Sequence, residues 1–251
     1  MLLDQSGQTT LREEGDVIIT NKPGEVLTYD PAETTPDDRV MNNLIVPAGG
    51  RYQVQLSDGT HVWMNAVSQM EYPIAFGKEE RRIFLRGEAY LEVTEDRLRP
   101  FIIETNGYEI KVIGTAFNLS TYVEDDFIET TLVNGMVEVK GRDGKITAIS
   151  PGQSLKIVHE DQSAVLQDVD PRFFISWKEG VLHFNKVKLV ELTTKLERWY
   201  DVRIEFQSPE AQELIYSGAM ENSRKLEFLL ELIEQTADVK FEIEDDRVLV
   251  K

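Results

Sequence analysis

The chain contains no cysteine, which removes disulfides, thiolate nucleophiles and thiolate metal ligands and leaves the redox compartment open. Histidine is nearly as scarce, with His61, His159 and His183 the only three. None lies in an HExxH pair or has a carboxylate at ligand spacing, so each reads as a structural or surface histidine. No apolar run approaches the roughly 18 residues that cross a bilayer. The opening MLLDQSGQTTLREEGD lacks a basic segment followed by an apolar one and is not a complete secretion signal. The expectation is either a cytosolic protein or a piece of a longer exported chain. Positive charge is also short: 27 Lys and Arg face 45 Asp and Glu, a formal net charge of −18. Such a surface repels phosphate backbones and argues against a nucleic-acid partner. From residue 171 onward there are 12 basic and 16 acidic side chains, net −4, which leaves −14 for the first 170. The tail is the part better suited to docking on another protein.

Several catalytic signatures are missing as well. No serine sits in a GxSxG elbow, and no glycine-rich loop leads from a strand into a helix to cradle phosphate. The acidic runs Glu124-Asp125-Asp126 and Glu244-Asp245-Asp246 lack the alternate oxygen ligands, the glycine and the distal glutamate of a calcium loop. They read as solvated turns. Asp58-Gly59-Thr60 resembles half a calcium loop but reads better as a hairpin turn. A carboxylate pair for glycoside hydrolysis stays open, since its members need not be near in sequence. The aromatics Trp63, Tyr72, Phe76, Tyr90, Phe101, Phe117 and Tyr122 would suit a sugar-binding face, although packing between sheets is the simpler use.

What is present has two patterns. The 251 residues suffice for one large or two modest domains. Residues 1–46 read as a partly extended lead-in, interrupted by Asp30-Pro31 and by Thr34 to Asp38, with two short strands. From Arg51 to about Gln167 the apolar period is two: Tyr52, Val54 and Leu56; Tyr108, Ile110 and Val112; Ile128, Thr130 and Leu132; Val137 and Val139. Turns at Asp58-Gly59, Asn106-Gly107, Asn134-Gly135, Asp143-Gly144 and Pro151-Gly152 separate the runs. Short strands at that spacing predict a β-sandwich, barrel or β-solenoid, with no amphipathic helix inside it.

After Asp170-Pro171 the period changes. Leu189, Leu192, Leu196 and Trp199 mark one face of a helix, and Leu226, Leu229, Leu230 and Ile233 mark another, with Ser223 or Asn222 as its N-cap. The two helices belong to an internal repeat. A shift of 37 positions superposes Asn185 on Asn222, Lys188 on Lys225, Leu189 on Leu226, Glu197 on Glu234 and Asp201-Val202 on Asp238-Val239. Each half reads strand, helix, then a strand opening with Asp-Val, and a last strand closes the chain. Two units only make a small α/β domain, not a solenoid.

Several ordered stretches resemble the periplasmic part of FecR-type anti-sigma factors, especially the Bacteroidetes branch. They are LSDGTHVWMNAVSQMEYP (Leu56–Pro73), RRIFLRGEAYLEV (Arg81–Val93), RPFIIETNGYEIKVIGTAFNLSTY (Arg99–Tyr122), TTLVNGMVEV (Thr130–Val139), SPGQS (Ser150–Ser154) and ISWKEGVLHFNKVKLVELTTKLERWYDVRIEF. The resemblance covers roughly residues 44–251. It implies a mainly β fold plus α/β: a sandwich or solenoid-like FecR domain over 47–170, then a small βαβ-repeat domain over 171–251. The latter is similar to the short N-terminal domain of secretins and TonB-dependent transporters. It also implies a periplasmic sensor anchored in the inner membrane by a helix outside these residues. Its expected partners are the N-terminal signalling domain of a TonB-dependent outer-membrane transporter and, through a cytoplasmic segment, an extracytoplasmic-function sigma factor. No enzyme activity and no cofactor are implied, and Gly114-Thr115 is expected to be scaffold. A carbohydrate-binding or glycan-processing β-domain is the alternative. A small α/β domain has short sheets with open edges, and two strands are candidates for docking a partner: Leu214, Ile215, Tyr216 and Ser217, or Val248, Leu249 and Val250.

Overall fold

The computed structural model describes residues 9–12, 18–21, 27–28, 40–221, 223–236, 239–244 and 247–251. The expected turns at 30–38 and 245–246, the N-cap candidate Asn222 and the repeat residue Asp238 lie outside them. Two compact units are formed, one from Met1–Pro47 with Arg51–Pro171, the other from Ala48–Gly50 with Arg172–Lys251.

The first unit is built from strands alone among the described residues. In chain order they are β1 (Thr9–Arg12), β2 (Ile18–Asn21), β3 (Leu27–Thr28), β4 (Met41–Val46), β5 (Tyr52–Gln55), β6 (His61–Met64), β7 (Ser68–Pro73) and β8 (Arg81–Glu92). Then come β9 (Phe101–Thr105), β10 (Tyr108–Val112), β11 (Ala116–Thr121), β12 (Phe127–Asn134), β13 (Val137–Lys140), β14 (Ile146–Ile149), β15 (Gln153–Val158) and β16 (Ala164–Asp168). The pair β1-β2 stands apart, and the others form two sheets with one shared member, β8. One runs β4-β7-β8-β9-β10-β13-β14 and the other β3-β5-β6-β8-β11-β12-β15-β16. All these pairs are antiparallel except β8-β9 and β3-β5. A solenoid would stack parallel coils; here a largely antiparallel array, continuous through β8, folds around one core and approaches a barrel.

The length and bend of β8 make this possible. Its residues Arg81, Ile83, Leu85, Ala89 and Leu91 are all buried, as period two requires. On one edge it pairs first with β7 and then with β6; on the other, first with β9 and then with β11. The handover falls at Gly87, whose φ of 94 suits glycine. A Cβ there would stand 2.4 Å from Ser68 Oγ, and that hydroxyl accepts from the Glu88 amide at 2.9 Å. The core draws on both sheets, including Leu44, Met70, Ile83, Phe101 and Ile110 from one and Val54, Val62, Leu91, Phe117 and Leu155 from the other.

The lead-in is shorter than expected. Met41–Val46 is a full strand of the sheet, paired along its length with β7, and Leu44 and Val46 are core residues. The signal was present in the apolar run Leu44, Ile45 and Val46, but the polar residues before it masked it.

The second unit follows the repeat. After α1 (Arg172–Ile175) and a 3-10 turn at Ser176–Glu179 come β17 (Val181–Lys188), α2 (Leu189–Tyr200) and β18 (Arg203–Phe206). A short α3 (Pro209–Gln212) leads to β19 (Ile215–Glu221), α4 (Leu226–Glu234), β20 (Phe241–Glu244) and β21 (Arg247–Val250). Both apolar stripes are buried as expected. Ser223 does not cap α4. The N-cap is Lys225, extended at φ −68 and ψ 150 with no side-chain cap, matching Lys188 before α2 at φ −66 and ψ 150. The fixed entry angle of the repeat, set by its buried leucines, outranks local capping chemistry. The recurring glutamates have a shared use: Glu197 accepts from the Ile204 amide at 2.8 Å and Glu234 from the Phe241 amide at 2.7 Å. Each thereby ties its helix to the strand that follows. Asp201 ends α2 in the left-handed region at φ 55, a conformation that Asp tolerates better than most residues.

Replacing Leu196 or Ile233 by alanine should cost about 2–5 kcal/mol of stability. The exposed Lys195→Ala should stay within about 0.5 kcal/mol. Urea unfolding checks both, and equal losses at Leu196 and Lys195 would contradict the helical phase.

Candidate interaction surface

The residues that looked most chemical in the sequence are held in structural roles. Asp58 lies in the β5-β6 turn, where it accepts from the Thr60 amide and hydroxyl at 3.0 and 2.8 Å. It also forms a buried ion pair of 2.7 Å with Arg81, whose side chain is fully enclosed. Arg81 donates further to the carbonyls of Arg99 (2.9 Å), Thr94 (2.7 Å) and Ile113 (3.1 Å). One guanidinium thus ties the β5-β6, β8-β9 and β10-β11 loops together. Gly114-Thr115 is scaffold: Thr115 Oγ1 donates to the Met136 carbonyl at 2.9 Å, and a Cβ on Gly114 would meet Glu95 at 2.6 Å.

The histidines have neighbours of their own. His61 lies 3.3 Å from the Gln55 amide and stacks on Trp63, and His183 packs against Phe173. His159 Nδ1 lies 3.1 Å from the Tyr108 hydroxyl. Burial, and next the Arg142 charge, lower its pKa against the opposing pull of Asp126 and Asp125. Among the described residues no three His, Asp or Glu gather as a metal site. Of the seven aromatics, all but Trp63 are buried. Four of them, Tyr72, Phe76, Phe101 and Phe117, join the core cluster, which is the packing role.

Two polar rows remain on the first unit. On one sheet, Trp63, Tyr90, Asn118, Thr131 and Ser154 are successive cross-strand partners, and all but Trp63 are buried. Glu88 accepts from Asn65 and Asn118 at 2.7 and 2.9 Å, and Ser154 donates to Glu129. These bonds tie neighbouring strands together and stabilise the sheet.

The other sheet carries an open groove of about 560 Å³ lined by Glu71, Phe84, Arg86, Glu104, Glu109 and Lys140 among others. Glu71, Phe84, Glu104, Glu109 and Lys140 form one row across five strands. Arg82 bridges Glu104 and Glu109. The Glu80 hydrogen bond, and after it the charges of Glu80 and Glu104, hold that guanidinium firmly protonated. Phe84 is 41% exposed. The groove escaped the sequence reading because its members come from five strands; the one local cue was Phe84, an aromatic at an outward position of β8.

The docking candidates divide. β21 is the centre of its sheet, with β18 parallel on one side and β20 antiparallel on the other. Val248, Leu249 and Val250 therefore offer no free edge, and Val248 and Val250 are buried. That candidate is corrected: a chain-terminal strand inserted between two others is a tertiary choice that no local pattern marks. Leu214 precedes the other candidate, whose strand begins at Ile215. β19 pairs with β17 and with no other strand among the described residues. The Leu189 amide donates to the Leu214 carbonyl at 2.7 Å, which sets the phase of the ladder. The Tyr216 amide then faces β17, while that of Ile215 points to the open side. Ile215 is 66% exposed.

Two family models match the chain: "FecR protein" over residues 42–138 and "FecR, C-terminal" over 181–250. Two crystal structures, at 1.65 and 2.50 Å resolution, of a protein from Parabacteroides distasonis ATCC 8503 described as an anti-sigma factor are similar in fold. Each has a TM-score of 0.78 at 27% identity and covers 84% of this chain and 98% of that one. No curated relative matches.

The His159 environment has a consequence for pH. A lowered folded-state pKa means the unfolded chain binds the proton more tightly, so this contribution is complete above the unfolded value of about 6.5. It is lost as pH falls from there through the folded value. Wild type should therefore lose more stability than His159→Gln across that window, measured by urea unfolding at a series of pH values. Parallel curves would show that the histidine contributes nothing.

Proposed function

Because the chain belongs to the FecR family of anti-sigma factors, we propose that it is the periplasmic sensor portion of such a regulator. In this reading the second unit receives the N-terminal signalling domain of a TonB-dependent outer-membrane transporter. The state of the transporter is then relayed to an extracytoplasmic-function sigma factor, reached through a cytoplasmic segment beyond a membrane helix, as the family resemblance implies. The work is done by protein–protein contact, without catalysis. No helix among the described residues is long and apolar enough to cross a membrane.

The observation that carries the reading is the open edge of β19. Its outward amides and carbonyls would accept an added strand, with backbone bonds supplying affinity and the alternating side chains selectivity. The strand exposes Ser217, Gly218 and Ala219 in succession, so a partner meets little steric resistance. The carbohydrate alternative loses ground because six of the seven aromatics proposed for a sugar face are buried.

Ile215→Pro removes an outward donor without touching the bonds to β17. Calorimetry with the transporter's signalling domain should show binding to wild type and at least about tenfold weaker binding to Ile215→Pro, a loss of about 1.4 kcal/mol. Circular dichroism should be unchanged. Binding equal to wild type would rule out this edge, and no binding by wild type would rule out the partner.

A further inference from the structure

The internal repeat supplies its own control for reading the surface of α4. α2 and α4 start after the same extended lysine and bury equivalent positions: Leu189 and Leu226, Leu192 and Leu229, Thr193 and Leu230, Leu196 and Ile233. At the outward positions the two helices part. α2 carries Glu191 and Lys195, both exposed. The corresponding residues of α4 are Phe228, 44% exposed, and Leu232, 42% exposed. Spaced by four, they are neighbours on one helix face. The first copy shows that the fold needs nothing apolar there, so the second copy's phenylalanine and leucine answer to something other than folding.

The charges around that pair identify its counterpart. Between Leu226 and Glu234 the charged residues are Glu227, Glu231 and Glu234, with no Lys or Arg, whereas α2 balances Glu191 and Glu197 with Lys195 and Arg198. Glu227 and Glu231 are exposed and flank the apolar pair in sequence. On the N-terminal side the helix is preceded by Arg224, whose guanidinium stands 5.5 Å from the centre of the Phe228 ring, and by the exposed N-cap Lys225. A second copy placed face to face would bring two such acidic helices together, on chains that each carry −18. An anionic lipid surface meets the same repulsion.

We infer that the exposed face of α4 is a docking surface for a partner protein that presents an apolar stripe framed by lysine and arginine. An amphipathic helix with leucine-like residues on one face and cations at its flanks has that chemistry, and its apolar side chains would cover Phe228 and Leu232 while its cations meet Glu227 and Glu231. This surface lies on a different element from the open β19 edge and does not depend on it.

The test exchanges the repeat's own residues. Phe228→Glu with Leu232→Lys gives α4 the side chains that α2 carries at these positions and leaves the net charge unchanged, so general electrostatic attraction is held constant. The probe is a fluorescent helical peptide of leucine and lysine with its leucines on one face. Anisotropy titration of the full chain should show binding to wild type, and at least about tenfold weaker binding to the double variant. Glu191→Gln with Lys195→Gln on α2 should bind like wild type. Circular dichroism and thermal unfolding check that the fold survives; should the exchange unfold α4, Phe228→Gln with Leu232→Gln takes its place. Undiminished binding by a folded variant, or no binding by wild type, overturns the inference. So does sedimentation showing a wild-type dimer that the exchange dissolves, because the face would then belong to a second copy.

Discussion

The β-domain depends on a single strand that serves two sheets. A twelve-residue strand can pair with four neighbours only if its two halves part company, and Gly87 is where they do. The bend leaves no room for a side chain beside Ser68. At the start of the same strand the Arg81 guanidinium, enclosed with Asp58, collects three backbone carbonyls that no sheet satisfies. Burying an ion pair is costly, and the pair is weak evidence of net stability by itself. Its significance is positional: an unpaired carboxylate or guanidinium would be stranded in any other arrangement of these loops, so the network selects this one. Arg81 also packs over the Phe101 ring at 5.4 Å, linking the network to the core it borders.

The second unit uses duplication differently. Its two copies keep what the fold requires, namely the buried stripe, the extended lysine before each helix, and the glutamate that binds the following strand's amide. They diverge where the fold is indifferent. That division separates folding residues from surface residues within one chain, and it directs attention to β19 and α4. Both lie in the part of the molecule whose charge is nearest neutral, where a partner would meet the least repulsion.

Much of the architecture was legible in advance because period two and period 3.6 are direct signatures of which side chains face the core. Tyr108, Ile110 and Val112, or Leu189, Leu192 and Leu196, are buried for the reason their spacing suggested. Turn chemistry was equally local, and Gly59, Gly107, Gly135, Gly144 and Gly152 all have positive φ. Local rules failed where a longer-range contact prevailed. Lys225 occupies an N-cap position that Ser223 would fill on propensity, because the buried leucines fix where the helix begins. Met41–Val46 joined the sheet because β7 was there to receive it. Arg81 is a charged residue at a strand end, and nothing near it in sequence announces that it is enclosed.

The sequence by itself determined the two-part organisation, the all-strand and helix-strand character of the parts, the repeat and the family. Each is written in the order or periodicity of residues along the chain, which folding does not rearrange. The tertiary structure alone decided which strands are edges, which arginine is buried, and which row of side chains forms a groove. β21 lies at the centre of its sheet and β19 at a margin, a difference that the residues of neither strand mark. Pairing between strands is a contest among all available edges, and its outcome depends on every other strand at once, so no single segment carries the answer.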